Sequence, residues 1–352
     1  LPPPTRISQR RRRDTADADA AETMPPLRVV SLLPSATELI VAVLEAAAAA
    51  APPAAPPAAE LVGRSHECDF PPAAQHLPML TASKISFTTS ADVDAQVKAQ
   101  LAAGAGLYSV DAAALAALRP DVVVTQSLCK VCSVDFCLVD SIADGLTPRP
   151  TVVDTNPMSL EDVFEDLKRV GAALGLAEAG AAAAAASAAR APAAAAAAER
   201  ARGGGPRPCV LFCEWVDPIF CGGHWSPQLI RMAGGAHPLN EAAPGGGAPP
   251  SFEVPPDRAA ASDPDVVIIA PCGLDLAKTR SELAPLVDAG WFRKLRAVHE
   301  RRVWLVDGNQ MFNRPGPRLV DALEWLVAVL HNASELAPAG FPAERWAPGG
   351  GV

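Results

Sequence analysis

Two stretches of this chain echo each other. Pro120-Asp121-Val-Val-Val-Thr-Gln leads to Cys129, and Pro264-Asp265-Val-Val-Ile-Ile-Ala-Pro leads to Cys272. Each short β-branched run reads as a fully buried strand, and each follows an Ala-rich segment of helical character. A strand buried on both faces needs helices above and below its sheet. The weak repeat therefore predicts an α/β fold of two Rossmann-like lobes with mostly parallel sheets. At 352 residues the chain can give each lobe its own core. Ligands of open parallel sheets bind beyond the carboxyl ends of the strands, so a cleft between the lobes is expected there, with both cysteines at its edge.

Between the repeats, Ser159-Leu160-Glu161-Asp162 forms a capping box, followed by Leu160, Val163, Phe164, Leu167, Val170 and Leu174 at helical spacing. One long α-helix over 159–176 is expected to join the lobes, acting as a stiff hinge that permits modest closure. The lobes themselves span 28–158 and 206–335 in this reading. Residues 1–27 read as a disordered leader and 336–352 as a tail. The Ala/Pro stretch 46–59 and the Ala/Gly-rich stretch 177–205 read as low-complexity insertions without assigned function.

Charge and cysteine usage bound the partners. A net charge of -9 argues against a nucleic-acid partner, since phosphate binding needs concentrated Lys and Arg, and the basic run Arg10 to Arg13 reads as part of the leader. No stretch has the length and apolar content of a membrane span, so no membrane insertion is expected. Eight cysteines in a chain of this length suggest free thiols, a metal site or redox chemistry. That usage, with no apolar secretion segment before Arg28, favours an intracellular or organellar location over a periplasmic one.

Candidate functional residues gather at the predicted strand ends. Pro34 and Ser35 open a helix after the strand Arg28–Leu33, with Ser35 as N-cap and Glu38 completing a capping box; such a terminus offers free N–H groups to a ligand oxygen or serves as a plain turn. His66, Glu67, Cys68 and Asp69 crowd an imidazole, a thiol and two carboxylates into one loop, although Asp69 can equally cap the turn before Pro71 and His66 can simply be exposed. Gln126 ends the first repeated strand. Cys129 and Cys132 form a C-x-x-C with Cys137 nearby, which suits a soft metal such as zinc if Cys68, Cys272, His66 or His224 complete the ligand set, or else a group of inert buried thiols. Glu214 and Trp215, then His224 and Trp225 on a Gly-rich loop, suit a flat ligand with polar edges, or the indoles belong to the lobe core. Met311, Phe312 and Arg314 lie in the last such loop. Arg318 opposes the dipole of the helix it precedes, so a nearby acid or anionic ligand should compensate it.

Taken in order, these segments resemble the helical-backbone, single-helix-hinged periplasmic substrate-binding proteins that serve importers of cobalamin, haem and iron siderophores, and are most similar to the cobalamin-binding branch. Leu33-Pro34-Ser35-Ala36-Thr37-Glu38 matches the opening turn, Val62-Gly63-Arg64-Ser65 through Asp69-Phe70-Pro71-Pro72 the second loop, and Pro120-Asp121 the third strand. Asp217-Pro218, Gly222-Gly223, Ala233-Gly234-Gly235, Asp263-Pro264-Asp265 and Phe312 to Arg318 follow in the same order. The resemblance implies a small ligand, cobalamin or another metal chelate, clamped between lobes by a monomer that docks on a membrane permease. Ligand contacts are then expected from Pro34, Ser35, His66, Glu67, Asp69, Gln126, Glu214, Trp215, His224, Trp225, Met311, Phe312 and Arg314. The competing reading is an intracellular metal-binding enzyme or metallochaperone, with Cys68, Cys129, Cys132 and Cys272 as metal ligands in the same cleft. A degenerate scaffold is the third.

Overall fold

The structure, a computed structural model, describes residues 25–52, 55–128, 134 and 136–347. The first lobe runs β1 (Leu27–Ser31), α1 (Pro34–Ala50), β2 (Ala59–Gly63), β3 (Thr81–Ser83), α2 (Ser90–Ala102), β4 (Tyr108–Val110), α3 (Ala112–Leu118), β5 (Val122–Thr125), α4 (Phe136–Asp144) and β6 (Thr151–Asp154). Then come α5 (Leu160–Ala173) and α6 (Ala177–Arg202). The second lobe runs β7 (Val210–Val216), β8 (Ile219–Cys221), α7 (Ser226–Met232), β9 (Phe252–Glu253), α8 (Pro256–Ala261), β10 (Val266–Ile269), α9 (Leu276–Ser281), α10 (Ala284–Asp288), α11 (Arg296–His299), β11 (Val303–Val306), α12 (Leu319–His331) and β12 (Ala343–Trp346).

The first sheet has the order β2-β1-β5-β6 and is parallel throughout. The second has the order β12-β11-β10-β7-β8-β9, parallel across β11, β10 and β7 and antiparallel toward both edges. Two lobes with parallel sheets joined by helices are thus the architecture that the repeat predicted. The repeat itself has a physical basis. In each lobe the Asp of the Pro-Asp pair accepts the backbone N–H that opens the neighbouring strand: Asp121 from Arg28 at 2.7 Å, and Asp265 from Cys209 at 2.7 Å. A hydrogen bond to a charged acceptor contributes roughly 1.5–3 kcal/mol, and here it also sets the register of the central strand pair.

The connection differs from a single helix. α5 begins with the expected capping box, Ser159 Oγ accepting from Asp162 N and Asp162 Oδ2 from Ser159 N, and it buries Leu160, Val163, Leu167 and Val170. The chain then turns into α6, so the Ala-rich segment read as a low-complexity insertion is a 26-residue helix packed on α5, on α1 of the first lobe and on α12 of the second. Ala is the best helix former and its small side chain lets helices approach closely. Composition disguised this helix, because Ala on every face leaves no apolar stripe to read. The two helices meet at Gly171 and Gly180, where a Cβ on Gly180 would stand 2.7 Å from the Leu167 carbonyl oxygen. Arg190 of α6 then grips α12 through Asp321 at 2.6 Å and Glu324 at 2.6 and 3.0 Å. The segment read as a tail also contributes: β12 extends the second sheet alongside β11.

Gly180→Val should force α6 off α5 and lower stability by roughly 1–3 kcal/mol or more, read as a fall in the urea midpoint. A second expectation concerns α5. Asp166 is buried with Oδ2 unpartnered, and burial pushes its carboxyl up to about 7 despite the opposing Arg169 beside it. A raised pKa in the folded state means that this group stabilises most below its ordinary value of 3.8 and that the contribution is lost as pH rises toward about 7. Asp166→Asn should therefore be more stable than the parent at pH 8, by a few kcal/mol at most, with the gap closing toward pH 4 in thermal unfolding.

Candidate functional site

The carboxyl ends of the strands of both lobes face one another across a cleft of about 580 Å³. From the first lobe, Pro34 and Ser35 follow β1, Glu67 follows β2, and Gln126 follows β5. From the second, Glu214 and Trp215 on β7, His224 after β8, Cys272 after β10 and Arg314 after β11 complete the wall. Most of these nine sequence-derived candidates come together because the parallel strands of both lobes open their carboxyl ends onto the cleft, and the antiparallel β8 brings in His224.

Polar groups at the floor lack protein partners. Ser35 Oγ and Gln126 Nε2 are buried without a hydrogen bond, although both residues line the cleft. A buried polar atom left unpaired costs about 1–3 kcal/mol, so such atoms at a cleft wall are positioned for something that enters it. Ser35 does not cap α1: the helix starts at Pro34 with no side-chain cap, and the capping box read from the sequence is not formed. Glu38 points instead at the other lobe. Its oxygens accept from Arg318 Nη2 at 2.6 Å, Arg318 Nε at 2.9 Å and Arg314 Nη1 at 3.4 Å. Glu38 is thus the acid that compensates Arg318 at the start of α12. Asp69 adds to this cluster, accepting from Arg314 at 2.6 Å and from Asn309 at 2.7 Å, and the Arg318 guanidinium lies 3.9 Å above the Phe70 ring.

The electrostatic character of the wall follows. Among the described residues it presents the carboxyls of Glu67 and Glu214, Asp94 is ion-paired with Lys98 at 2.8 Å, and its basic group, Arg314, is engaged by Asp69 and Glu38. Burial raises Glu67 against the opposing pull of Arg314, with Asp69 adding to the rise. Burial also lowers His224, which leaves a neutral imidazole near pH 7. His224 sits at φ 51° after Gly223, whose position admits no Cβ because the Ser251 amide would lie 2.2 Å away. Glu214 Oε2 accepts from Gly223 N at 3.3 Å, which ties the acid to that loop.

Other candidates stand elsewhere. Trp225, Met311 and Phe312 are buried in the second lobe, where the Trp225 indole donates to the Phe312 carbonyl at 2.5 Å and Phe312 packs edge-on against Phe212 at 5.0 Å; they hold the His224 loop from behind. His66 lies behind the wall, its Nδ1 2.7 Å from Thr81 Oγ1, and Asp69 belongs to the inter-lobe cluster. Cys68 is buried against Thr37 Oγ1 at 3.0 Å and Ser65 Oγ at 3.2 Å. It does not join Cys272, which is the cysteine lining the cleft among the described residues, so a Cys-rich cleft is not what these residues form. Cys129 and Cys132 fall outside the described residues. Within them, no group of three or more His, Cys, Asp or Glu is placed to hold a metal ion.

One wall was missed from the sequence. Phe87, Val93, Asp94, Val97 and Tyr108, from α2 and its flanks, line the cleft. The available signal was the i, i+4 pair Val93 and Val97 on an otherwise polar helix, too sparse to distinguish from a solvated surface helix.

Two α/β lobes on a helical backbone, with a ligand-sized cleft at their strand ends, define a solute-binding protein. The chain matches the family model described as periplasmic binding protein over residues 41–309, and it belongs to that family. No curated protein sequence matches it. Among solved structures it is similar to a periplasmic heme binding protein from Pseudomonas aeruginosa (22% identity, TM-score 0.62, covering 88% of this chain and 94% of that one). It is likewise similar to the periplasmic vitamin B12 binding protein BtuF of Vibrio cholerae (18%, 0.59, 88% and 99%) and to the periplasmic heme-binding protein RhuT from Roseiflexus sp. RS-1 (22%, 0.62, 88% and 100%). The expected intracellular or organellar location is overturned by this membership, since the family and these structures are periplasmic by description. That expectation leaned on what precedes Arg28 and on thiol chemistry, neither of which reports on the fold.

Glu38→Gln should leave Arg314 and Arg318 short of a buried counter-charge and cost on the order of 3 kcal/mol in equilibrium unfolding.

Proposed function

We propose that the protein is an extracytoplasmic solute-binding protein that clamps a metal chelate between its lobes, that the chelate is a corrinoid such as cobalamin, and that it is delivered to a membrane permease. The observation that carries the choice of ligand is the charge of the cleft wall. Glu67 and Glu214 face the cleft, Asp94 is paired with Lys98, and Arg314 is already neutralised by Asp69 and Glu38. Haem carries two carboxylates and catecholate ferric siderophores carry net negative charge, and either would meet like charge without a free Lys or Arg among the described wall residues to offset it. A corrin is rimmed by neutral carboxamides, whose N–H groups donate to carboxylates and whose carbonyls accept from donors such as Gln126 Nε2 and Ser35 Oγ. Trp215 supplies an aromatic face for the flat ring. In this reading the wall residues Pro34, Ser35, Glu67, Gln126, Glu214, Trp215, His224 and Arg314 make the ligand contacts.

Titration with cyanocobalamin and, separately, haemin, followed by Trp fluorescence and chelate absorbance, tests this. Cyanocobalamin should saturate at one equivalent with micromolar or tighter affinity, and Glu214→Gln should weaken it by roughly 10- to 100-fold. Tighter binding of haemin, or indifference of cyanocobalamin affinity to Glu214→Gln, would reverse the choice of ligand.

A further inference from the structure

The segment 84–107, with α2 at its centre, stands apart from the lobe that carries it. It leaves and re-enters that lobe through the two-stranded antiparallel ribbon of β3 and β4, a sheet separate from the main one. Within α2 itself, Ser90 is the buried residue. α2 is tied to its own flanks through Ser86, Thr88, Asp92 and Gln96, and it also has polar ties to the opposite lobe. Ser90 N donates to Glu282 Oε2 at 2.7 Å, and the Trp215 indole donates to Ser90 O at 3.1 Å. About two turns further on, Lys98 Nζ sits 2.8 Å from Asp94 and 3.3 Å from Glu253, and ahead of the helix Lys278 stands 5.5 Å from the centre of the Phe87 ring. The side of α2 carrying Val93, Asp94 and Val97 lines the cleft.

We propose that residues 84–107 are a flap over the cleft, latched to the second lobe at Ser90 by Glu282 and Trp215, and that unlatching it, rather than parting the lobes, governs ligand entry and release. The lobes are joined at the base by α5, α6 and the buried Glu38–Arg314–Asp69 cluster, all of which resist separation. The flap has a narrow attachment and little burial of its own, which are the properties of a segment that opens locally. Its strongest tie is charge-assisted: a carboxylate from the facing lobe accepts from the first N–H of α2, where the helix dipole also favours negative charge. The partial closure of the cleft by Val93 and Val97 makes α2 a determinant of ligand size. Trp215 belongs both to the latch and to the cleft wall, so an occupant that packs on the indole supports the latch from below.

This inference rests on the solute-binding reading for its purpose but not for its first test. Hydrogen exchange of the ligand-free protein should show amides of 90–102 exchanging on the order of tenfold faster in Glu282→Gln than in the parent, with α5 and α6 unchanged. Lys98→Met, which removes an exposed contact, should give a smaller change in the same direction. Stopped-flow release of cyanocobalamin should then be faster in Glu282→Gln by a similar factor. Equal exchange of 90–102 in variant and parent would overturn the latch. Faster exchange with unaltered cyanocobalamin release would overturn the flap as the gate. A protein that ignores cyanocobalamin yet shows the exchange change would keep the latch and reject the corrinoid.

Discussion

Glu38 sits near the centre of the molecule with a side chain only 3% exposed, facing two arginines of the other lobe. A buried carboxylate cannot be left unpaired without a cost of several kcal/mol, so α1, the loop that carries Arg314 and the start of α12 must remain together whenever the chain is folded. Asp69 and Asn309 extend the same bond pattern to the second loop of the first lobe. The cleft is therefore built on a floor that both lobes share. Its side walls, not its base, are free to vary in position.

The helices behind that floor have the same effect by different means. α5 is held by ordinary apolar burial, whereas α6 relies on close approach, with alanines and Gly180 allowing it to touch α5, α1 and α12. Leucines there would give a stronger stripe but a wider spacing. The residues that make α6 look featureless are those that let it pack against three neighbours. A rigid backbone of this kind leaves closure to smaller parts such as α2, which lines the cleft and is tied to the second lobe through Ser90.

Much of this was legible in the linear pattern, for reasons that are local. The Pro-Asp repeats announce two central strands because burial on both faces demands continuous β-branched runs, and Asp121 and Asp265 do one job twice. The α5 capping box depends on residues three apart and formed as read. The turn at Ser35 had the same local signature and did not cap, because the helix already begins at Pro34 and Glu38 is claimed by arginines 276 and 280 positions away. Trp225 and Met311 were grouped with the cleft by their neighbours in sequence, yet they face inward. The thiols invited a metal reading, but Cys68 and Cys272 lie in different surroundings, one under the floor and one on the wall.

By itself the sequence determined the number of lobes, the parallel strands at the centre of each sheet, and the loops at whose ends polar side chains would collect. Those properties follow from hydrophobic periodicity and from caps and turns a few residues long. Tertiary structure alone decided which of those side chains face the cleft, that Arg314 is neutralised before any ligand arrives, that an alanine-rich run becomes part of the backbone, and that α2 reaches across to the other lobe. Each of these depends on pairs far apart in the chain. Whether a charge is free or satisfied is set by the partner that folding delivers, and periodicity carries no record of that partner.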